Sequence, residues 1–118
     1  MLFLTLESSI STIQFLLDQG VHIDHQDSEQ KWSALHFAAL DNKKEVVALL
    51  LKLGASVDLL DIFGNTPLWR AVMSFSGDCS IVKNLLSHGA DPTKENKSGV
   101  SPQLLAGTMG KVELLEIF

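Results

Sequence analysis

Asp61-Ile62-Phe63-Gly64-Asn65-Thr66-Pro67-Leu68-Trp69-Arg70-Ala71 decides the reading of this chain, because it recurs on both sides of itself. Upstream stands Ser33-Ala34-Leu35-His36-Phe37-Ala38-Ala39, and downstream Gly99-Val100-Ser101-Pro102-Gln103-Leu104-Leu105-Ala106. Leu35 and Leu68 are 33 positions apart; Ala71 and Ala106 are 35 apart. A second motif runs in phase with the first. It reads Leu16-Leu17-Asp18-Gln19-Gly20, then Leu50-Leu51-Lys52-Leu53-Gly54-Ala55, then Leu85-Leu86-Ser87-His88-Gly89-Ala90. Its glycines are spaced by 34 and 35. A fixed period of this length means stacked supersecondary units, none of which can bury its apolar face alone.

A period near 33 carrying a Thr-Pro-Leu-His-like element resembles the ankyrin repeat, and the resemblance covers the whole chain. It implies an all-α solenoid: each unit is a β-turn finger, a short helix, a tight turn and a longer helix. Residues 1–118 then form a single ankyrin-repeat domain of four units. These span about 1–26 (partial), 27–60, 61–95 and 96–118 (partial), with seven or eight helices in antiparallel pairs.

The third unit shows the local physics. Gly64 can take positive φ at the finger tip between Asp61 and Asn65. Thr66 offers a cap, and Pro67 fits the first helical position, where an N–H would be unpaired anyway. In Glu45–Lys52, Val46, Val47, Leu50 and Leu51 share one helical face, and Gly54 closes that helix. Burial between units is expected for Leu16, Leu17, Leu35, Val47, Leu50, Leu51, Leu68, Val82, Leu85 and Leu86. The second finger, Asp27–Trp32, is one residue longer than usual and lacks glycine, and Met73–Cys79 is two residues longer than the matching segment of its neighbour.

Composition narrows the function. The 118 residues are 46% hydrophobic, which argues against disorder. Net charge is −5, and all of it falls in residues 1–30, where Glu7, Asp18, Asp24, Asp27 and Glu29 meet no Lys or Arg. Such a chain repels phosphate backbones, so no nucleic acid is expected as a partner. No stretch reaches the roughly 18 apolar residues of a membrane span, and no basic residue precedes the apolar Met1–Leu6 run, a poor signal peptide. One cysteine, Cys79, precludes an internal disulfide and suits a reducing, cytoplasmic setting.

No residue pattern argues for catalysis, and no cofactor is expected. His22-Ile23-Asp24-His25-Gln26-Asp27 packs metal-ligand types closely, which leaves metal binding or enzymatic chemistry as a minor alternative. The same segment is the linker into the second finger, where Asp is ordinary. The resemblance implies that His36 bridges backbone and hydroxyl groups instead of acting as a base. Trp69 takes its place in the third unit, and an indole N–H can only donate. Cys79 has no partnered base in a recognisable motif and reads as a bystander in an inserted turn.

Ankyrin arrays bind proteins on the concave face of finger tips and short helices. The resemblance places Trp32, Leu40, Leu60, Ile62, Phe63, Asn65, Met73, Val100 and Met109 there, a set that is apolar apart from Asn65 and of a kind that marks interfaces. The competing reading folds Phe63 back onto the neighbouring finger and uses Trp32 to compensate for its glycine-free turn. The function implied is a non-catalytic protein-binding scaffold. Its details resemble compact bacterial ankyrin proteins, among them immunity proteins that neutralise a toxin. The acidic first unit suits a basic toxin. A fragment of a larger ankyrin protein or effector is the alternative. Leu114, Leu115, Ile117 and Phe118 form an apolar edge, so the expectation is a homodimer through that end or a longer native chain.

Overall fold

The short helices start where a hydroxyl can accept an orphan N–H. In the computed structural model, which describes residues 18–20 and 22–118, Ser33, Thr66 and Ser101 cap three short helices: α1 (Ala34–Leu40), α3 (Pro67–Ser74) and α5 (Pro102–Thr108). Their side-chain oxygens accept from the N–H of His36, Trp69 and Leu104 at 3.3, 3.3 and 3.1 Å. Pro67 and Pro102 occupy the first turn. Each short helix is followed by an outer one: α2 (Lys44–Lys52), α4 (Ser80–Ser87) and α6 (Val112–Leu115). The described residues thus hold six helices and no strand, and Leu16 and Leu17 lie outside them.

The helices form two rows. α3 packs on α1 and α5 on α3; α4 lies against α2; each short helix also packs on its own outer helix. Small residues let the inner row close up, with Ala38, Ala39 and Ala106 wholly buried and Ala71 nearly so. Leu35, Val47, Leu50, Leu68, Val82 and Leu85 are 0–1% exposed and Leu51 5%, as the periodicity requires. Leu86 is only half-buried and packs on the edge of the core.

Polar side chains tie unit to unit. Ser74 Oγ donates to the Ala39 carbonyl, and Asn42 Nδ2 donates to that of Ser74, both at 3.0 Å. Lys111 Nζ donates to the carbonyls of Val72 (2.6 Å) and Met73 (3.0 Å), so a cation sits at the C-terminal end of α3. Burial pushes the Lys111 ammonium below its ordinary pKa. The extra residues after Met73 let Phe75 reach the core, and Lys111 lies 5.8 Å from its ring centroid. Cys79 is the half-buried residue before α4 and packs against the core; it is less of a surface bystander than its inserted turn suggests.

The apolar run at residues 114–118 turns out differently from its sequence expectation. Leu114 is fully buried, and Ile117 and Phe118 are half-buried against the core, so Leu115 alone of the four is exposed. Helical periodicity turns Leu114 inward, and the turn after α6 folds the last two residues back: the N–H groups of Ile117 and Phe118 both donate to the Leu114 carbonyl.

Leu50, on α2, is 0% exposed and belongs to the hydrophobic core. Leu50→Ala is expected to cost about 2–5 kcal/mol of unfolding free energy, transfer and cavity terms together. Urea melts of the two proteins measure it, and a loss below about 1 kcal/mol contradicts the placement of α2.

Candidate protein-binding face

Each finger is closed by one Asx side chain. Asp27 Oδ1 accepts from the N–H of Gln30 and Trp32, Asp61 Oδ1 from those of Phe63 and Asn65, and Asn96 Oδ1 from those of Ser98 and Val100. Neighbouring fingers also pair through backbone: Ile62 N–H donates to Gln30, and Lys97 N–H to Phe63, both at 3.0 Å. Gly64 has φ +77°, and a Cβ there would meet Lys97 N at 3.0 Å, so both its twist and its closeness to the next finger require glycine. The second finger lacks a glycine, and Lys31 takes the left-handed turn at φ +57°.

Asp61 does more than close its finger. Its second oxygen accepts from Arg70 Nε (3.1 Å), Arg70 Nη2 (2.8 Å) and Trp32 Nε1 (3.0 Å). With the two backbone donors, five hydrogen bonds converge on one carboxylate that is 3% exposed. Burial alone would raise its pKa; the Arg70 guanidinium and the Asn65 and Phe63 amides outweigh it and hold the group below the usual carboxylate range. Arg70, 8% exposed, is boxed by aromatic rings whose centroids lie 5.0 Å (Trp32), 5.3 Å (Trp69) and 5.9 Å (Phe63) away. Its Nη1 also reaches Met73 Sδ at 3.8 Å.

His36 ties the second unit to the third. The Ser33 N–H donates to Nδ1 (3.1 Å), so Nδ1 is unprotonated and the proton sits on Nε2, which donates to the Asn65 carbonyl at 2.9 Å. Trp69 cannot repeat this: its indole N–H is buried and finds no acceptor among the described residues. Asn96 Nδ2, donating to Asn65 Oδ1 at 2.8 Å, ties those units instead.

The family model for ankyrin repeats (three copies) matches residues 2–116. The chain belongs to the ankyrin-repeat family. It is 37% identical to part of serine/threonine-protein kinase 12 of Arabidopsis thaliana, over 76% of this chain and 19% of the kinase. An ankyrin repeat protein of fowlpox virus is 27% identical over 93% of this chain and 33% of its own length. The 2-5A-dependent ribonuclease of Mus musculus is 47% identical over 52% of this chain and 8% of the ribonuclease. The chain therefore spans a third or less of each of these relatives. Ankyrin repeats as a family are protein-interaction units, and no helix among the described residues is long and apolar enough to cross a membrane.

The ankyrin geometry sorts the sequence-derived face. Phe63 (51%), Met73 (45%), Met109 (45%) and Leu60 (40%) are exposed. Leu40, Ile62, Val100 and Trp32 are half-buried. Asn65 is 3% exposed and does not belong on the face: its carbonyl serves His36 and its side chain serves Asn96. Phe63 both stays exposed and lies over Arg70; Trp32, in the glycine-free finger, stacks edge-on against Phe37 with ring centroids 4.8 Å apart. Arg70 is not among the face residues that the sequence indicates. The one available signal was a cation one turn into the helix that follows an acidic finger.

The linker carboxylates are engaged. Asp24 accepts from the N–H and hydroxyl of Ser56 at 2.9 and 3.0 Å, and Asp27 is spent on its finger. Among the described residues no three His, Cys, Asp or Glu side chains gather as metal ligands.

Two outcomes follow from this bonding. Arg70→Met strands the buried Asp61 carboxylate and is expected to cost about 3–5 kcal/mol. The double variant with Asp61→Asn, which keeps the finger's acceptor as Asn96 does, should lose less than Arg70→Met alone; chemical denaturation of the wild type, the two single variants and the double variant decides. His36 is a pH test. Burial lowers its pKa beneath the model-compound value of 6.5, so the stability it contributes is full above pH 6.5 and is lost as pH falls from there towards the depressed folded value. Thermal midpoints between pH 7 and 5 should fall more steeply for the wild type than for His36→Gln.

Proposed function

We propose that this chain is a non-catalytic scaffold that binds a protein partner through the face made by its finger tips and the exposed ends of its short helices. The observation that carries the reading is the group around Arg70. Phe63 and Met73 are about half exposed, yet both rest on one buried guanidinium that is itself fixed by Asp61. An exposed apolar pair whose positions are already set loses little conformational freedom on binding, which is how a small surface gains affinity. Aromatic and methionine side chains are also the ones enriched at interface centres.

The partner class we propose is a basic protein, because residues 1–30 carry five acidic groups and no Lys or Arg. A toxin blocked by an immunity-type contact is the most specific form of that reading. A repeat segment serving a larger protein is the second reading, favoured by the share of each relative that the chain spans, 4–33%.

Isothermal titration with a partner isolated by affinity capture tests the face. Phe63→Ala should weaken the complex at least tenfold, roughly 1.4 kcal/mol, with little change in thermal midpoint. Lys97→Ala should matter little. Unchanged affinity for Phe63→Ala, or loss of fold in its place, refutes the face. Affinity that is insensitive to salt refutes the basic partner.

A further inference from the structure

Arg70 is the only arginine of the chain, and its donors are unevenly spent. Nε and Nη2 both give to Asp61 Oδ2, at 3.1 and 2.8 Å. Nη1 meets no oxygen among the described residues; its contact is Met73 Sδ at 3.8 Å, and a thioether is a weak acceptor. The guanidinium cannot turn to find a better one, because Asp61 and the rings of Trp32, Phe63 and Trp69 hold it in place. Met73 is 45% exposed, so the side chain that covers this buried donor is itself open to solvent. Met109 has the same 45% exposure and no hydrogen bond at its sulfur among the described residues, which makes it an internal control.

We propose that Met73 is an oxidation site for hydrogen peroxide and that Arg70 holds the product. A sulfur lone pair forms an S–O bond to one peroxide oxygen as the O–O bond breaks. The second oxygen keeps that electron pair, takes the proton of the first and leaves as water. Sulfur loses two electrons and the peroxide gains them, so no further reactant is consumed. The product oxygen is well placed for Nη1. With nitrogen and sulfur 3.8 Å apart, an oxygen about 1.5 Å from the sulfur can lie about 2.9 Å from Nη1, with an S–O···N angle of about 115°, which is good hydrogen-bond geometry. A sulfoxide oxygen is a far better acceptor than a thioether, and its bond to a guanidinium is charge-assisted. Finger and helix then stay as they are, while one of the two residues seated on Arg70 turns from apolar to polar. The loss of binding this implies rests on the protein-binding reading; the oxidation and the Arg70 bond do not.

Two variants separate the sulfurs. Met109→Leu leaves Met73, Met73→Leu leaves Met109, and both keep Met1 and Cys79. Each full chain is treated with excess hydrogen peroxide and then with dithiothreitol, which reverses thiol oxidation short of the sulfinic acid and leaves sulfoxides in place. Peptide mass spectrometry should find one added oxygen at the methionine that remains in α3 or α5's cap. Nitrogen-15 spectra of the single arginine then read the product without ambiguity. Oxidation of Met73 should shift the Nη1 signal and slow exchange of its protons with solvent by roughly tenfold or more. Oxidation of Met109 should change neither. The proposal is overturned if Met73 resists the peroxide, if its oxidation leaves the Arg70 signals as they were, or if Met109 oxidation alters them equally. None of these readouts uses the partner, so they stand or fall separately from the binding face.

Discussion

The ion pair between Asp61 and Arg70 is the constraint on which the middle of this structure depends. Five donors meet on the Asp61 carboxylate, and they come from three places: the preceding finger through Trp32, its own finger through Phe63 and Asn65, and α3 through Arg70. A buried pair of this kind adds little net stability, since desolvation offsets most of the attraction. Its effect is on arrangement. With every acceptor site occupied, finger, helix and neighbouring unit have one mutual geometry, and departing from it leaves a charge unpaired in the interior.

That constraint also explains how the array tolerates a poor residue at a bridging position. In the second unit, His36 accepts from the cap residue and donates to the next finger, linking two units through one ring. In the third, Trp69 offers one donor that finds no acceptor among the described residues, at a cost of about 1–3 kcal/mol. The indole instead gives apolar area and one wall of the box around Arg70. The Asn96–Asn65 side-chain bond and Lys111, donating into the end of α3, carry the link to the fourth unit.

The binding reading rests on the same chemistry. Side chains that a solvated finger would leave free are here seated on a cation that cannot move. The proposed surface and the packing solution are thus one set of residues: Phe63 and Met73 face solvent on one side and Arg70 on the other.

Much of this was legible in the sequence because it is local. The period, the hydroxyl caps at Ser33, Thr66 and Ser101, the prolines at the first helical turn and the inward faces of α2 and α4 each depend on residues within a turn or two. The family and the all-α fold follow from those. What spacing could not show was which side chains the neighbouring unit would claim. Asn65 reads as a solvent-facing finger residue, yet His36 and Asn96, 29 and 31 positions away, draw it inside. Leu114, Ile117 and Phe118 read as an exposed apolar edge, yet the fold turns them onto the core and leaves Leu104 and Leu115 outside. Arg70 carries no role in the sequence pattern, yet Asp61 and three aromatic rings enclose it. A chain's local preferences specify its elements, but the burial of a particular polar or apolar group depends on what arrives against it, and in a stacked array that is decided about 30 residues away.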